Sequence, residues 1–288
     1  STGALMTHGF VEAKGMTHFK YKFGQMDDTE LYVKGYDRIY DVLELEKNLD
    51  DTEFIFREIM KTFNPEETLC SFKVLKGAGK WLVDNTEGRG ILKSAFNKNV
   101  PVYVPAFTDS EMGLDFGIFN IKRKKQGKPE FNFNPFLDLN HFAETVKKQK
   151  TMGVFTIGGG VPRNWAQQIA PYLDIMKKRA ENECTSCEGK GCETCNNRGY
   201  TKDVGQGQMR YKYGVRICPE PVHWGGLSGC TYSEGVTWGK FVPQSEGGMW
   251  SEVLADATIA WPLVLKAVMQ RLKKNGKLPV QKNFSPEI

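Results

Sequence analysis

The sequence predicts an α/β fold, a doubly wound, mostly parallel sheet with helices on both faces. Three observations predict it. Short β-branched runs alternate with amphipathic helical patterns. Glycines and aspartates stand just after the strand-like runs. And 288 residues at 40% hydrophobic and 25% charged suit one large domain or two small ones and allow a sizeable core; the pattern is read as a single domain over 1–288. With 39 Lys and Arg against 34 Asp and Glu, the formal charge is +5. That excess is small for a nucleic-acid binder, and no nucleic-acid partner is expected.

The elements follow in order. Ser1-Thr2-Gly3-Ala4 is turn-like and lacks an initiator Met, and a helix should follow it with no strand before. A doubly wound sheet without its first strand predicts an upstream segment or a companion chain that supplies it. Val100-Pro101-Val102-Tyr103-Val104 reads as a buried strand ended by Pro105. Lys122-Arg123-Lys124-Lys125, ahead of Gly127 and Pro129, reads as a solvated loop. A helix is expected over Leu139 to Lys150, a buried strand over Gly153 to Ile157, and a helix over Asn164 to Arg179, with Trp165, Ile169 and Tyr172 on one face. Met209 to Cys218 alternates as a strand. Glu252 to Ala255 is the last strand, and the helix Thr258 to Lys274, closed by Gly276, ends the pattern. Strand, loop and helix in repetition make the sheet Rossmann-like. The apolar stretch Ala257 to Val264 is far below the roughly 18 residues of a membrane helix, and Pro262 interrupts it. No signal peptide is present, so a cytoplasmic, membrane-free protein is expected.

In a parallel sheet, ligands bind at the carboxyl ends of the strands. The candidate positions are therefore Asp109, the triple glycine Gly158-Gly159-Gly160, the loop Pro219 to Gly229, and Asp256-Ala257. Glycines at a strand end let backbone approach a ligand and aim a helix N-terminus at an anion, or they simply make a tight turn. Asp109 and Asp256 could hold ribose hydroxyls or cap the next helices. In Thr231 to Lys240, either Ser233 or Thr231 could cap a helix that places Glu234 and Trp238 four apart on one face. A carboxylate and an indole suit a cation. Lys240 beside them is either a surface residue or a desolvated amine able to form an imine with a carbonyl compound.

Cys184, Cys187, Cys192 and Cys195 form C-x2-C-x4-C-x2-C with glycines between. Two such knuckles are what a tetrahedral zinc site needs, and a four-thiolate shell leaves no open position, so the role should be structural. An iron–sulfur cluster is the other possibility. The segment 181–203 reads as an inserted four-cysteine zinc knuckle. Its pattern is similar to the knuckles of DnaJ-type chaperones over about 16 residues, which carries no function with it.

Together, Ser1-Thr2-Gly3-Ala4, Pro105-Ala106-Phe107-Thr108-Asp109-Ser110, Gly158-Gly159-Gly160-Val161, Glu234-Gly235-Val236-Thr237-Trp238-Gly239-Lys240 and Ala255-Asp256-Ala257 resemble the deoxyhypusine synthase family in order and spacing. The resemblance implies an NAD-dependent transferase that oxidises spermidine or putrescine and carries a 4-aminobutyl group on a lysine as an imine. It implies that Lys240 is that lysine. Thr2, Gly3, Asp109, Gly158, Gly159, Gly160, Asp256 and Ala257 would hold NAD. Glu234 and Trp238, with Asn164, would line the polyamine channel. A polycation needs carboxylates, and Glu111 and Asp115, four apart on an expected helix from Ser110 to Asn120, should supply charge there. Homo-oligomers, as tetramers, are implied. Two stretches depart from the eukaryotic pattern. Arg163-Asn164-Trp165 stands where those members carry two histidines, and Pro219 to Gly226 replaces an acidic loop. Both look like the bacterial deoxyhypusine-synthase-like branch, in which the acceptor need not be a protein. A homospermidine synthase-like enzyme with a free diamine acceptor, or a non-catalytic zinc-stabilised subunit, is the alternative.

Overall fold

The computed structural model describes residues 1–202 and 209–277. Among them the chain packs as two compact units, one from Ser1 to Asp138 and one from Leu139 onward.

The first unit is mainly helical. It holds α1 (Gly3–Ala13), β1 (Phe19–Lys20), α2 (Asp28–Val33), β2 (Tyr36–Ile39), β3 (Val42–Leu45), α3 (Glu46–Lys61), α4 (Ser71–Asn85), α5 (Ile91–Asn97) and α6 (Glu111–Lys125); α7 (Phe136–Lys147) carries the division between the units. The expected helix after the N-terminal tetrapeptide is α1. Thr2 caps it by accepting from the Leu5 amide at 3.2 Å. Phe10, Phe56, Met60, Leu75, Leu82 and Met112 are fully buried and form the core of the helical layer. A small antiparallel sheet, in the order β1-β3-β2, lies outside what the periodicity shows. Its β2–β3 hairpin turns through Tyr40 and Asp41, with Tyr40 left-handed at φ 54°.

Two expectations for this unit fail for physical reasons. Residues 100–104 belong to no ladder. Pro101 and Pro105 lack the amide hydrogens a central strand needs, and the Val104 amide instead donates to Ser71 Oγ at 2.8 Å. The basic run Lys122 to Lys125 is not a loop but the last turn of α6, where cations offset the carbonyl end of the helix dipole.

The second unit holds β4 (Met152–Ile157), α8 (Val161–Gln167), α9 (Ile169–Ile175), a π turn (Met176–Ala180), β5 (Tyr211–Ile217), α10 (Tyr232–Thr237), β6 (Met249–Val253) and α11 (Ala257–Lys274). The three strands form a parallel sheet in the order β4-β5-β6. This is the expected α/β arrangement, and successive side chains divide between two helical layers. Thr156 faces α10, sharing a 2.8 Å hydrogen bond with the Tyr232 hydroxyl. Its neighbour Phe155 faces α11, with its ring centroid 4.4 Å from that of Trp261. The strand order follows the chain, without the reversal that marks a doubly wound sheet. Gly214 in β5 is required by packing, because a Cβ there would stand 2.8 Å from the Tyr232 ring.

The helix expected over Asn164 to Arg179 is divided into α8, α9 and the π turn. Pro171 has no N–H to give the Gln167 carbonyl, and the break falls there. The Cys-bearing segment departs from the path between α9 and β5. It is closed by a bridge between Glu183 and Tyr200. The end of the expected knuckle, residue 203, lies outside the described residues. No helix among the described residues is long and apolar enough to cross a membrane.

Candidate active site

Lys240 is placed by local structure. Thr231 caps α10 by accepting from the Glu234 amide at 3.0 Å, which decides between the two candidate caps. The helix then stops three residues short of the lysine. Gly239, at φ +70°, donates to Val236 O at 3.0 Å, and Lys240 donates to Gly235 O at 2.9 Å. These two bonds make a Schellman motif, which requires a residue that tolerates the left-handed conformation at Gly239. Gly235 is required for another reason: a Cβ there would lie 2.7 Å from the Phe241 ring. Both glycines of the Glu234 to Lys240 motif therefore serve to turn Lys240 inward, where only 7% of it is exposed.

Inside, the ammonium of Lys240 donates to Asn164 Oδ1 at 2.9 Å and stands 5.9 Å from the centroid of the Trp238 ring. Burial pushes the amine below the usual lysine range, and the Arg163 charge pushes it the same way, against an opposing pull from Glu234. A cavity of ≈ 180 Å³ opens here, lined among others by Arg163, Asn164, Gln167, Glu234, Trp238 and Lys240. The surface-residue reading of Lys240 thus gives way to the desolvated amine. Glu234 and Trp238 do share a site with it, but Trp238 is the C-terminal cap of α10 and not a residue of its face.

The wall opposite α10 is held by two arginines. Arg163, 6% exposed, donates to the carbonyls of Cys230 and Leu227. Arg216 donates to Ser228 O and pairs with Glu252 at 3.1 Å, and Glu252 also accepts the Tyr232 amide at 3.1 Å. The loop 227–231 is pinned by side chains on the sheet and on α8. Sequence reasoning passes over Arg163, Gln167 and Cys230 as site residues; Arg163 beside Asn164 is the one available signal.

The triple glycine sits at the carboxyl end of β4, as expected. Gly159 is needed because a Cβ would lie 2.5 Å from Ser228 Cα. Gly158 and Gly160 have φ of +73° and +82°, and an added Cβ would meet nothing within 4 Å at either. Their backbone is open to a group approaching from outside. Asp256 caps α11, accepting from the Thr258 amide at 2.7 Å and the Thr258 hydroxyl at 2.6 Å, and the residue is exposed. Ala257 is the first residue of that helix.

The other predicted positions lie in the first unit. Thr2 and Gly3 open α1, and Gly3 packs so closely that a Cβ would fall 2.2 Å from Ser110 Oγ. Ser110 caps α6, with Asp109 exposed before it and Glu111 first in the helix. Thr2, Gly3, Asp109 and Glu111 are thereby brought together. Glu111 and Asp115 are helical, as expected, but Asp115 is only 9% exposed. Burial raises its carboxyl to about 7, with Glu53 and Glu111 adding to the shift.

The four cysteines come together. Their sulfurs lie within 4.8 Å of one another, with separations of 3.9 Å for Cys184 to Cys192, 3.8 Å for Cys187 to Cys195 and 3.8 Å for Cys192 to Cys195. A tetrahedron with Zn–S near 2.3 Å has sulfur–sulfur edges of about 3.8 Å. The amides of Gly191, Cys192 and Gly199 donate to these sulfurs at 3.2–3.3 Å, the bonds a thiolate shell requires. Left-handed Asn196, Asn197 and the glycines at 189, 191 and 199 form the turns. The donor set fits a mononuclear tetrahedral cation.

Comparison with known proteins identifies the family. The family model described as deoxyhypusine synthase matches residues 1–268. A Methanosarcina acetivorans protein described as "probable deoxyhypusine synthase 2" is 30% identical over 272 residues, 94% of this chain and 68% of that protein. One from Methanosarcina thermophila, "probable deoxyhypusine synthase", is 31% identical over 274 residues, 95% of this chain and 71% of that one. A "deoxyhypusine synthase-like protein" of Caulobacter vibrioides is 27% identical over 282 residues, 96% of this chain and 67% of that one. With the match running from the N-terminal tetrapeptide through Lys240 into α11, the chain belongs to the deoxyhypusine synthase family.

Proposed function

We propose that the chain is an NAD-dependent 4-aminobutyl transferase that takes the group from spermidine or putrescine and holds it on Lys240. The observation that carries the reading is the Lys240 amine itself, buried, depressed below the usual lysine range and walled by Trp238. A neutral amine attacks a carbon–nitrogen double bond, and lowering the lysine pKa enlarges the neutral fraction. NAD, when bound, would supply reversible hydride acceptance from the polyamine. Thr2, Gly3, Asp109, Gly158, Gly159, Gly160, Asp256 and Ala257 are the residues proposed to hold it; the open backbone at Gly158 and Gly160 supports the assignment. Lys240 then displaces the departing amine of the oxidised polyamine, forming one C=N bond as the other C–N bond breaks, and Asn164 orients Nζ. An acceptor amine displaces Lys240 in the same way. Glu234 supplies charge for the polycation and Trp238 offers its π face; Glu111 and the ionised form of Asp115 are proposed to supply charge from the first unit.

The four-cysteine set is proposed to hold one structural zinc. The parallel three-stranded sheet is proposed as part of a Rossmann-like, doubly wound sheet, with a companion chain proposed as a contributor. A homo-oligomer, a tetramer in the family pattern, is supported by the apolar residues of α11, where Ile259 is 70% and Leu263 69% exposed. The seven cysteines are all unbridged, which supports the reducing cytoplasm. Incubation with NAD and spermidine or putrescine, followed by identification of the amines, tests the reading. Homospermidine among the products assigns a free diamine as acceptor. Release of the small amine only when a protein acceptor is present assigns a lysine. No turnover of either polyamine leaves the non-catalytic subunit and overturns the proposal.

A further inference from the structure

His8 on α1, His18 just before β1 and Glu44 on β3 converge in the first unit, their donor atoms within 4.8 Å of one another. They come from three elements, so no spacing in the sequence announces them. Glu44 has no exposed surface, and one of its oxygens, Oε1, has no hydrogen-bond partner. The other, Oε2, is shared: His8 Nδ1 lies 2.5 Å from it and His18 Nε2 3.2 Å. The far nitrogen of His18, Nδ1, stands 3.1 Å from Oε1 of the largely exposed Glu12 but makes no hydrogen bond to it. The two imidazole rings meet edge to face, 5.9 Å between centroids.

A buried carboxylate with an unused oxygen costs free energy unless a cation compensates it. Two imidazole nitrogens aimed at the same carboxylate are a donor set for a borderline cation. We infer that His8, His18 and Glu44 form a binding site for a divalent transition cation of the zinc class. Zinc at roughly 2.0–2.2 Å from nitrogen and oxygen donors needs them about 3.3 Å apart, which side-chain rotation reaches from the observed separations. Oε1 of Glu44 would gain its missing partner. Three protein ligands leave a further position open to water or to a small ligand, unlike the closed four-cysteine set. The inference stands whether or not the chain transfers an aminobutyl group.

The test uses the full chain, loaded with Zn2+ or Co2+ and desalted. The intact protein should retain two metal ions per chain. His8→Ala and His18→Ala should each retain one, with the Co2+–thiolate charge-transfer band unchanged and the circular dichroism spectrum of the intact protein. The band shows that the cysteine site survives, so a variant that misfolds is recognised by its loss. Glu44→Gln, which keeps the shape, should also lose one ion. An intact protein that retains a single ion, or histidine variants that retain as many as the intact protein, would overturn the inference.

Discussion

The ammonium of Lys240 lies 2.9 Å from Asn164 Oδ1, a hydrogen bond that ties the end of the α10 turn to the helix that follows the triple glycine. The residues are 76 apart in the chain, and the sheet brings them together. An amide oxygen orients the amine without adding a charge, so burial and Arg163 continue to dominate its pKa.

Asn164→Asp should reverse that balance. A carboxylate at hydrogen-bond distance favours the ammonium and raises the lysine pKa. Activity at neutral pH should fall at least tenfold and recover as pH rises, because the neutral amine is the reactive form. The pH dependence of turnover checks this: the acidic limb should move up by about one unit or more. An unmoved limb would remove Asn164 from contact with the reacting nitrogen.

Gly239→Ala should cost roughly 1–2 kcal/mol, since an L-residue is forced to φ +70°. Turnover should drop further than that loss of stability accounts for, because Lys240 is the next residue. Gly247→Ala, also left-handed at φ +88° but outside the cavity lining, is the control and should lose stability alone. Denaturant melts and turnover of both variants decide the matter.

Asp115 should make stability depend on pH. Its folded pKa, about 7, lies above the ordinary carboxylate value, so the protein binds this proton more tightly when folded. The contribution is full below about pH 4 and is lost as pH rises through about 7. Asp115→Asn should therefore match the parent at pH 4 and exceed it at pH 8 by roughly 1–3 kcal/mol, the linkage value discounted for nearby solvent. Chemical denaturation at the two pH values measures it. A gain of equal size at both would show that the burden on Asp115 is not its charge.

Cys187→Ser and Cys192→Ser should abolish the Co2+–thiolate band and lower Tm, while polyamine turnover in the folded fraction changes less than threefold. A closed thiolate shell contributes folding energy and has no position for substrate. Loss of turnover without loss of stability would assign the segment to the chemistry instead.

How much of this was legible follows the range of each interaction. The Glu234 to Lys240 motif could be read because a cap, a helical turn and a Schellman motif are all local. Asp256 and the strands β4 and β5 could be read for the same reason. The break at Gln168 could have been read from Pro171, and the absent ladder at 100–104 from Pro101 and Pro105; apolar content concealed both. The inward turn of Arg163 and the approach of Ser228 to Gly159 depend on contacts across about 65 to 70 residues, and no periodicity carries them. The meeting of His8, His18 and Glu44 is of the same kind, since it rests on a small hairpin whose strands are too short to show alternation.

The central claim is that Lys240 carries the aminobutyl group, and reductive trapping tests it most directly. Protein incubated with NAD and spermidine, then treated with borohydride, should gain a single 4-aminobutyl adduct that peptide mass spectrometry places on Lys240. Lys240→Ala should gain none, and Lys240→Arg should not restore it, because a guanidinium stays protonated and does not attack. An adduct on another residue, or one that persists in Lys240→Ala, would contradict the account.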